Sequence, residues 1–515
     1  MFQKLFFIFI AIGLFLGIAG CNSKNTTSDS FTQKPNIIYI LADDLGYGEL
    51  GCFGQELIET PNIDKLAENG IKFTEHYSGA PVCAPSRCVL LTGKHMGHAQ
   101  VRGNDEWGER GDVWGYKSMI ADSTLEGQRP MAVGTQTIGS KMQSAGYKTA
   151  MFGKWGLGAP QTHSIPTKMG FDFFVGYNCQ RQAHTYYPVH LYKNEARLYL
   201  GNDTVAPNTN LEKGADPLDL NSYKKYNLHN YSPDVMFKEL TGFVKENNDN
   251  PFFIYWASPI PHAALQAPKR WVDYYVNKFG DEEPYLGDMG YFPHRYPHAA
   301  YAAMVSCLDE NVGKLVQQLK DLGIYENTLI VFTSDNGATY NGGTDSPWFN
   351  SGGPFKIEYG WGKGFTHEGG IRTPMVASWP GHTNPGTESH HISAFWDVMP
   401  TLCEIAGVDT PEDGDGISFL PALTGEEQIT HDHLYWEFPS YGGQQAVRLG
   451  KWKGMRKDIM KGNMTIELYN LDEDIQELND VASNYPEIVK QVEEIMVKEH
   501  VPAVSERFKM KELGD

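Results

Sequence analysis

The chain is predicted to be an α/β protein: a mostly parallel central sheet flanked by helices, followed by a smaller C-terminal α+β subdomain containing an antiparallel sheet. Three observations predict it. Apolar, strand-length runs alternate with amphipathic helical segments over most of the chain, the pattern that builds a parallel sheet covered on both faces. Several acidic, basic and histidine residues fall just after these runs, where open α/β sheets gather their functional groups. From about His431 the text changes to short strand-like runs without intervening helices.

Residues 1–20, MFQKLFFIFIAIGLFLGIAG, read as a secretory signal, with a short basic start, an apolar stretch and a small-residue ending. The ending Ile18-Ala19-Gly20-Cys21 resembles a bacterial lipobox, which implies cleavage before Cys21 and lipid attachment to its sulfur. Residues 21–34 are then a polar tether rich in Ser, Thr and Asn. The expectation is an exported lipoprotein, periplasmic or at the outer-membrane surface, that meets the membrane only through its lipid anchor. A large domain over 35–430 and a subdomain over 431–515 complete the chain.

The run PNIIYILADD (35–44) is a buried strand by its continuous apolar content, and it ends in two aspartates. TPNIDKLAENG is a short helix stopped by Gly70, and IKFTEHYS returns as a strand. TQTIGSKMQSAGYKTAMFGKWG repeats helix, Gly146 stop, strand and loop. Ser232 as N-cap and Pro233 at the first helical position open the helix SPDVMFKELTGFVKENN, and the strand PFFIYWAS follows. The long helix around YAAMVSCLDENVGKLVQQLKDLG leads into the strand TLIVFTSDNG. Residues 180–231 are Tyr-, Asn- and Lys-rich and poorly periodic, with a hairpin at HLYKNEARLYL, and read as an insertion near the site. NGGTDSPWFNSGGPFKIEYGWGKG is a second long loop. HLYWEF, QQAVRLGKWKGMR and IELYNL are the short strands of the subdomain, and SNYPEIVKQVEEIMVKEH is its helix.

Lys and Arg number 43 against 63 Asp and Glu, a net charge of −20. That balance argues against a general nucleic-acid binder, which needs a basic footprint. Any anionic substrate must be drawn by local positive charge. Apart from Cys21 the cysteines are Cys52, Cys83, Cys88, Cys179, Cys307 and Cys403. Their spacing suggests neither a disulfide framework nor a zinc site.

Asp43 and Asp44 after one strand, and Asp335 with Asn336 after another, are four oxygen donors. Hard donors of this kind suit Ca²⁺ or Mg²⁺ rather than zinc or copper. Lys154 and His262 also follow strands. In PVCAPSRCVLLTG (81–93), Pro85 and Ser86 suit a first helical turn, which places Cys83 at a helix N-terminus that favours anions. Arg87, one turn on, adds a guanidinium. A bare cysteine there is expected to be a low-pKa thiolate, with a generic thiol nucleophile as one role.

These residues carry a resemblance. Cys83-Ala84-Pro85-Ser86-Arg87 through Thr92-Gly93 resembles the C-x-P-S-R-x-x-x-x-T-G signature of type I sulfatases. The blocks ILADDLGYGELGCFG, GKWGLG, GFDFFVGY, PFFIYWASPIPHAALQAP, FTSDNGAT, GKGFTHEGGIRTP and ELYNLDEDIQELND resemble that family's blocks in their order. The resemblance covers roughly 34–490 and implies an alkaline-phosphatase-like fold. It implies that a maturation enzyme converts Cys83 to formylglycine. Asp43, Asp44, Asp335, Asn336 and an oxygen of residue 83 would hold Ca²⁺, in preference to Mg²⁺. Arg87 would hold the nucleophilic hydroxyl, Lys154 and Lys363 the sulfate, and His262, with Lys363, would protonate the leaving oxygen. One hydroxyl of the formylglycine hydrate attacks sulfur and expels the alcohol. Loss of the proton from the other then collapses the sulfate adduct to aldehyde and free sulfate. The implied activity is hydrolysis of sulfate esters on saccharides released from polysaccharides, and QRQAHTYYP resembles blocks of galactose- or N-acetylgalactosamine-directed members. The alternatives are a phosphonate monoester or phosphodiester hydrolase of the same superfamily, and a non-catalytic glycan-binding lipoprotein.

One departure stands out. The family commonly reads Gly-Lys-Trp-His-Leu-Gly, and that histidine assists the second step; here Gly156 takes its place. His163 and His184 are the nearest histidines in sequence, and His184 is expected to substitute as base or sulfate partner. His98, Arg102, Asn104 and Trp107, after the nucleophile segment, and Gln445 and Arg448, in the subdomain, are expected substrate contacts.

Overall fold

The computed structural model describes residues 33–515; the signal segment and Cys21 lie outside the described residues. Ten of the strands form the continuous path of one large sheet: β1 (Asn36–Ala42), β2 (Ile71–Tyr77), β3 (Lys148–Lys154), β4 (Phe173–Tyr177), β5 (His190–Lys193), β6 (Ala196–Tyr199), β7 (Phe252–Ala257), β8 (Thr328–Ser334), β9 (Arg372–Ser378) and β10 (Thr387–Ser389). The order is β10-β2-β9-β8-β1-β7-β3-β4-β5-β6, and a short β11 (Ser393–Ala394) pairs with β2 off the path.

The centre β8-β1-β7-β3-β4 is parallel throughout. β9 runs antiparallel to both β2 and β8, and β5 and β6 form an antiparallel hairpin at the far edge. The sheet is therefore mixed at both flanks. β1 shows why its strands read as unbroken apolar runs. Ile37, Tyr39 and Leu41 enter the core on one face, while Ile38, Ile40 and Ala42 enter the core on the other. Successive strand residues point to opposite faces, and here both faces are covered.

Four parallel neighbours put their carboxyl ends on one edge. β8, β1, β7 and β3 lie side by side, so Asp335, Asp43, His262 and Lys154 are delivered to a line of strand ends spanning about 14 Å.

The C-terminal sheet is β12 (Leu434–Phe438), β13 (Gln444–Leu449), β14 (Trp452–Lys457) and β15 (Glu467–Asn470), antiparallel in that order. The helix Pro486–Glu499 packs on it through Val492 and Met496. Buried charge joins this sheet to the large one: Lys453 Nζ lies 2.8 Å from Glu368 and 3.1 Å from Glu477. The helix expected to start at Pro233 begins one residue earlier, at its expected cap. Ser232 is its first residue and its hydroxyl bonds the Tyr177 hydroxyl instead. The six described cysteines are all free thiols. Among the described residues no helix is long and apolar enough to cross a membrane.

Candidate active site

Local backbone chemistry aims the carboxylates. β1 ends at Ala42, and Asp43 donates its N–H to the Ile260 carbonyl (3.0 Å). Asp44 turns left-handed (φ 67°), a conformation aspartate tolerates better than most residues, so two consecutive carboxylates serve one centre. Its N–H bonds Asp335 Oδ1 (3.1 Å). Asp335 is held in turn by its own N–H on the Ala42 carbonyl (3.0 Å), a continuation of the β1–β8 ladder.

The nucleophile helix, Cys83–Thr92, is buried along its whole length and closed by left-handed Gly93. Cys83 is its first residue. Arg87, four residues on, shares its face. Cys83 Sγ lies 3.1 Å from Asp43 Oδ1 and 3.8 Å from Asp44 Oδ1. Arg87 donates Nε and Nη2 to Asp335 Oδ2 (3.0 and 2.8 Å) and Nη1 to the Lys154 carbonyl (2.6 Å). Lys154 Nζ meets Asp43 Oδ2 at 2.7 Å. Lys363 Nζ meets Asp44 Oδ2 at 2.5 Å and stands 3.7 Å from Cys83 Sγ. Three carboxylates thus face three cations around one sulfur.

Burial pushes every one of these acids up, and their neighbours decide the outcome. Lys154, His262, Arg87 and Lys363 together hold Asp43 well below the usual carboxylate range. Burial and the Asp43 charge push Asp335 up. For Cys83, burial and Asp43 push the thiol well up. The helix N-terminus alone had suggested a thiolate. That expectation is corrected: burial first, and the Asp43 carboxylate second, outweigh the helix dipole and keep the Cys83 thiol protonated.

The donors suit a hard cation. Asp43, Asp44 and Asp335 supply carboxylate oxygens, and Asn336 donates Nδ2 to Asp44 Oδ1 (2.9 Å) while its Oδ1 is buried without a hydrogen-bond partner. A buried carboxamide oxygen with no donor, beside three carboxylates, is a ready metal ligand.

His262 Nε2 lies 3.7 Å from Asp44 Oδ2, and its Nδ1–H donates to the Ala263 carbonyl. Its ring stacks on His184 (5.2 Å between centroids, 11°), and Tyr291 meets both rings edge-on. His184 therefore sits beside the centre. His163 does not: it is engaged with the Met131 carbonyl (2.7 Å).

The expected substrate contacts separate. Asn104 is exposed and accepts the Ala84 N–H (3.2 Å) in the first turn of the nucleophile helix, at the mouth. Trp107 is half-buried with Arg110 over its ring. His98 is corrected: the helix carries the chain about 15 Å from Cys83 before His98 pairs with Asp415 (2.8 Å). Arg102 is also corrected. It is buried and spends its guanidinium on Glu437 and the carbonyls of Gly97 and Ala99. Gln445 donates to Tyr435 inside the C-terminal sheet (2.7 Å), and Arg448 clasps the Tyr77 hydroxyl and Glu75 (2.7 and 2.9 Å). Neither reaches the mouth.

Three residues near the centre were missed. Gln444, beside the expected Gln445, donates to the Gly364 carbonyl (2.9 Å) and accepts the Thr366 N–H (3.0 Å), so it clamps the loop of Lys363. Strand alternation could have offered it as the inward neighbour. Gln180 fills the space beside Gly156: a Cβ built there would lie 2.6 Å from Gln180 Cγ, and Gly156 is itself left-handed (φ 74°). Tyr291 comes from an unpatterned segment with no sequence signal.

The fold and this centre define a sulfuric ester hydrolase of the alkaline-phosphatase-like superfamily. The Sulfatase family profile matches residues 35–408, and the chain belongs to that family. A second profile, N-sulphoglucosamine sulphohydrolase, C-terminal, matches 357–502. Human N-acetylgalactosamine-6-sulfatase is 32% identical over 444 residues, covering 84% of this chain and 74% of the human protein. Human arylsulfatase A is 31% identical over 447 residues, covering 82% and 74%. The solved structure of Ps i-CgsB in complex with k-i-k-neocarrahexaose superposes with a TM-score of 0.70 at 28% identity, covering 91% of this chain and 94% of that one. Family membership implies a metal and a formylglycine in general.

Proposed function

We propose that this sulfatase is an exported, lipid-anchored enzyme that removes sulfate from saccharides, of galactose or N-acetylgalactosamine type. Its nucleophile is formylglycine at position 83, installed by a maturation enzyme, and its metal is Ca²⁺ on Asp43, Asp44, Asp335 and Asn336. The observation that carries the reading is the position of Cys83 Sγ, between the Oδ1 atoms of Asp43 and Asp44 and within 3.7 Å of Lys363. Similarity to N-acetylgalactosamine-6-sulfatase and to a protein solved with a neocarrahexaose supports a sugar substrate.

When bound, Ca²⁺ supplies Lewis-acid neutralisation of sulfate charge and favours an ionised hydroxyl at position 83. This chain's residues do the rest. Arg87, fixed by Asp335 and the Lys154 carbonyl, orients the nucleophilic residue. Lys154 and Lys363 exchange their aspartate partners for sulfate oxygens. The bond from His262 Nδ1–H to Ala263 fixes the neutral ring with Nε2 bare toward the site. His262 therefore delivers a proton to the leaving oxygen only from its doubly protonated form. Lys363 carries one at neutral pH and stands beside Cys83, so it is the poised acid.

The test is co-expression with a formylglycine-generating enzyme, peptide mass across Cys83, and parallel assays on sulfated mono- and disaccharides, an aryl sulfate and an aryl phosphodiester. Conversion of Cys83 with sulfate release from galactose or N-acetylgalactosamine sulfates is expected. An unconverted Cys83, or a preference for the phosphodiester, overturns the reading. Release of the protein from membranes by Cys21→Ser tests the anchor.

A further inference from the structure

Arg181 differs from the arginines that the nucleophile signature and the expected substrate contacts offered. Arg87, Arg102 and Arg448 are each consumed by a carboxylate. Arg181 makes no ion pair among the described residues. Its guanidinium lies 4.9 Å from the centroid of the Trp114 ring, and Trp114 is 59% exposed. Buried Glu106 feels the Arg181 charge but forms no ion pair with it, and its Oε1 accepts from Gln128 Nε2 (2.8 Å). In a chain of net charge −20, a half-buried guanidinium that forms no ion pair is a conspicuous local cation.

Its position ties it to the reaction. Arg181 belongs to the short 3₁₀ turn Gln180–His184. Such a turn has three residues per revolution, so residues i and i+3 eclipse. Arg181 and His184 therefore share one edge, and His184 on that edge stacks against His262. At the start of the turn, Gln180 packs against Gly156, two residues beyond Lys154. An aromatic face sets the guanidinium plane while leaving its N–H edge free, and that planar fork matches a carboxylate or sulfate with two parallel hydrogen bonds.

We propose that Arg181, set by Trp114, is a specificity-determining residue that pairs with a second anionic group on the saccharide whose sulfate is removed at Cys83. The substrate class is thereby narrowed to saccharides carrying a further sulfate ester or a carboxylate, an inference that rests on the saccharide sulfatase reading above.

The experiment compares the matured enzyme with Arg181→Ala, Arg181→Lys and Trp114→Ala on four probes. These are an aryl sulfate, a monosulfated disaccharide, the same disaccharide with a second sulfate, and its counterpart with a uronic acid. Wild type is expected to favour at least one dianionic probe over the monosulfated one. Arg181→Ala should reduce that preference about 10- to 100-fold, the scale of a charge-assisted hydrogen-bond pair. The loss should appear in KM rather than kcat. Arg181→Lys should keep part of the preference, and Trp114→Ala should lose part. Whichever dianionic probe loses its advantage identifies the group read. An unchanged ratio in Arg181→Ala overturns the proposal while aryl sulfate turnover leaves the sulfatase reading standing. Failure of the matured wild type on every sulfated probe overturns both.

Discussion

Among the described residues, two clusters bring potential metal ligands within 4.8 Å of one another: Asp43, Asp44, Cys83 and His262 at the strand ends, and His95, His98 and Asp415 beyond the nucleophile helix. At the second, the Gly97 N–H donates to His95 Nδ1 (3.1 Å), which places the ring proton on Nε2, facing Glu499 (3.2 Å). His98 pairs with Asp415, and the other Glu499 oxygen meets His433 (3.1 Å). Every donor there has its acceptor, and His95 offers no free lone pair. At the strand ends, Asn336 Oδ1 has no donor and two carboxylates crowd one sulfur. Proximity is common to both clusters. A buried polar atom with no hydrogen-bond partner is found at only one of them, and it marks the site.

The hardest way to break that contrast is Cys83→Ala. It should lower kcat by roughly 10³-fold or more, the scale of a lost nucleophile, while bound Ca²⁺ by mass spectrometry and the melting temperature stay near wild type. Turnover within tenfold of wild type would remove position 83 from the chemistry.

Asp335→Asn comes next. It strips the buried Arg87 of its nearer carboxylate, leaving Asp43 Oδ2 at 3.5 Å, and should cost up to about 3–5 kcal/mol, read as a lower denaturation midpoint, together with loss of activity that excess Ca²⁺ does not fully restore. Chelation should silence the wild type, and added Ca²⁺ should restore it. Activity untouched by a chelator would show that the oxygen donors serve no metal.

Gly156→His is a subtler probe. The new Cβ meets Gln180 at 2.6 Å and the backbone is left-handed. A loss of about 1–3 kcal/mol in stability is expected from overpacking. Gln180→Ala in the same chain should recover part of it, as a double-mutant cycle would measure. Additive losses would mean that Gln180 does not fill that space.

His98→Asn should do least, with kcat and metal content unchanged. The hydrogen bond to Asp415 raises the His98 pKa above its ordinary value. The stability it lends is therefore fully present below about pH 6.5 and fades as pH rises through the folded-state value. Denaturant titrations of both proteins should diverge in acid and converge in base. A constant offset across pH would show that His98 contributes by packing alone.

Sequence by itself determined the strand runs, the residue types at their ends and the signature around Cys83, for a physical reason. A strand buried on both faces must be apolar throughout, so Asp43, Asp335 and Lys154 stand out at its boundary, and parallel neighbours bring those boundaries to one edge. Hydrophobic periodicity likewise exposed the change to an antiparallel C-terminal sheet. It did not determine where a polar side chain finds its partner. Arg102, Arg448 and Gln445 lie close to informative segments, but Glu437, Glu75 and Tyr435 capture them, and no local pattern encodes those pairings. Gln180 and Tyr291 reach the centre for the converse reason: a short 3₁₀ turn and an unpatterned loop are positioned by what they pack against. Tertiary structure alone decided these, because a buried polar group takes whichever complementary atom the fold brings within hydrogen-bonding distance, however far away it lies in the chain.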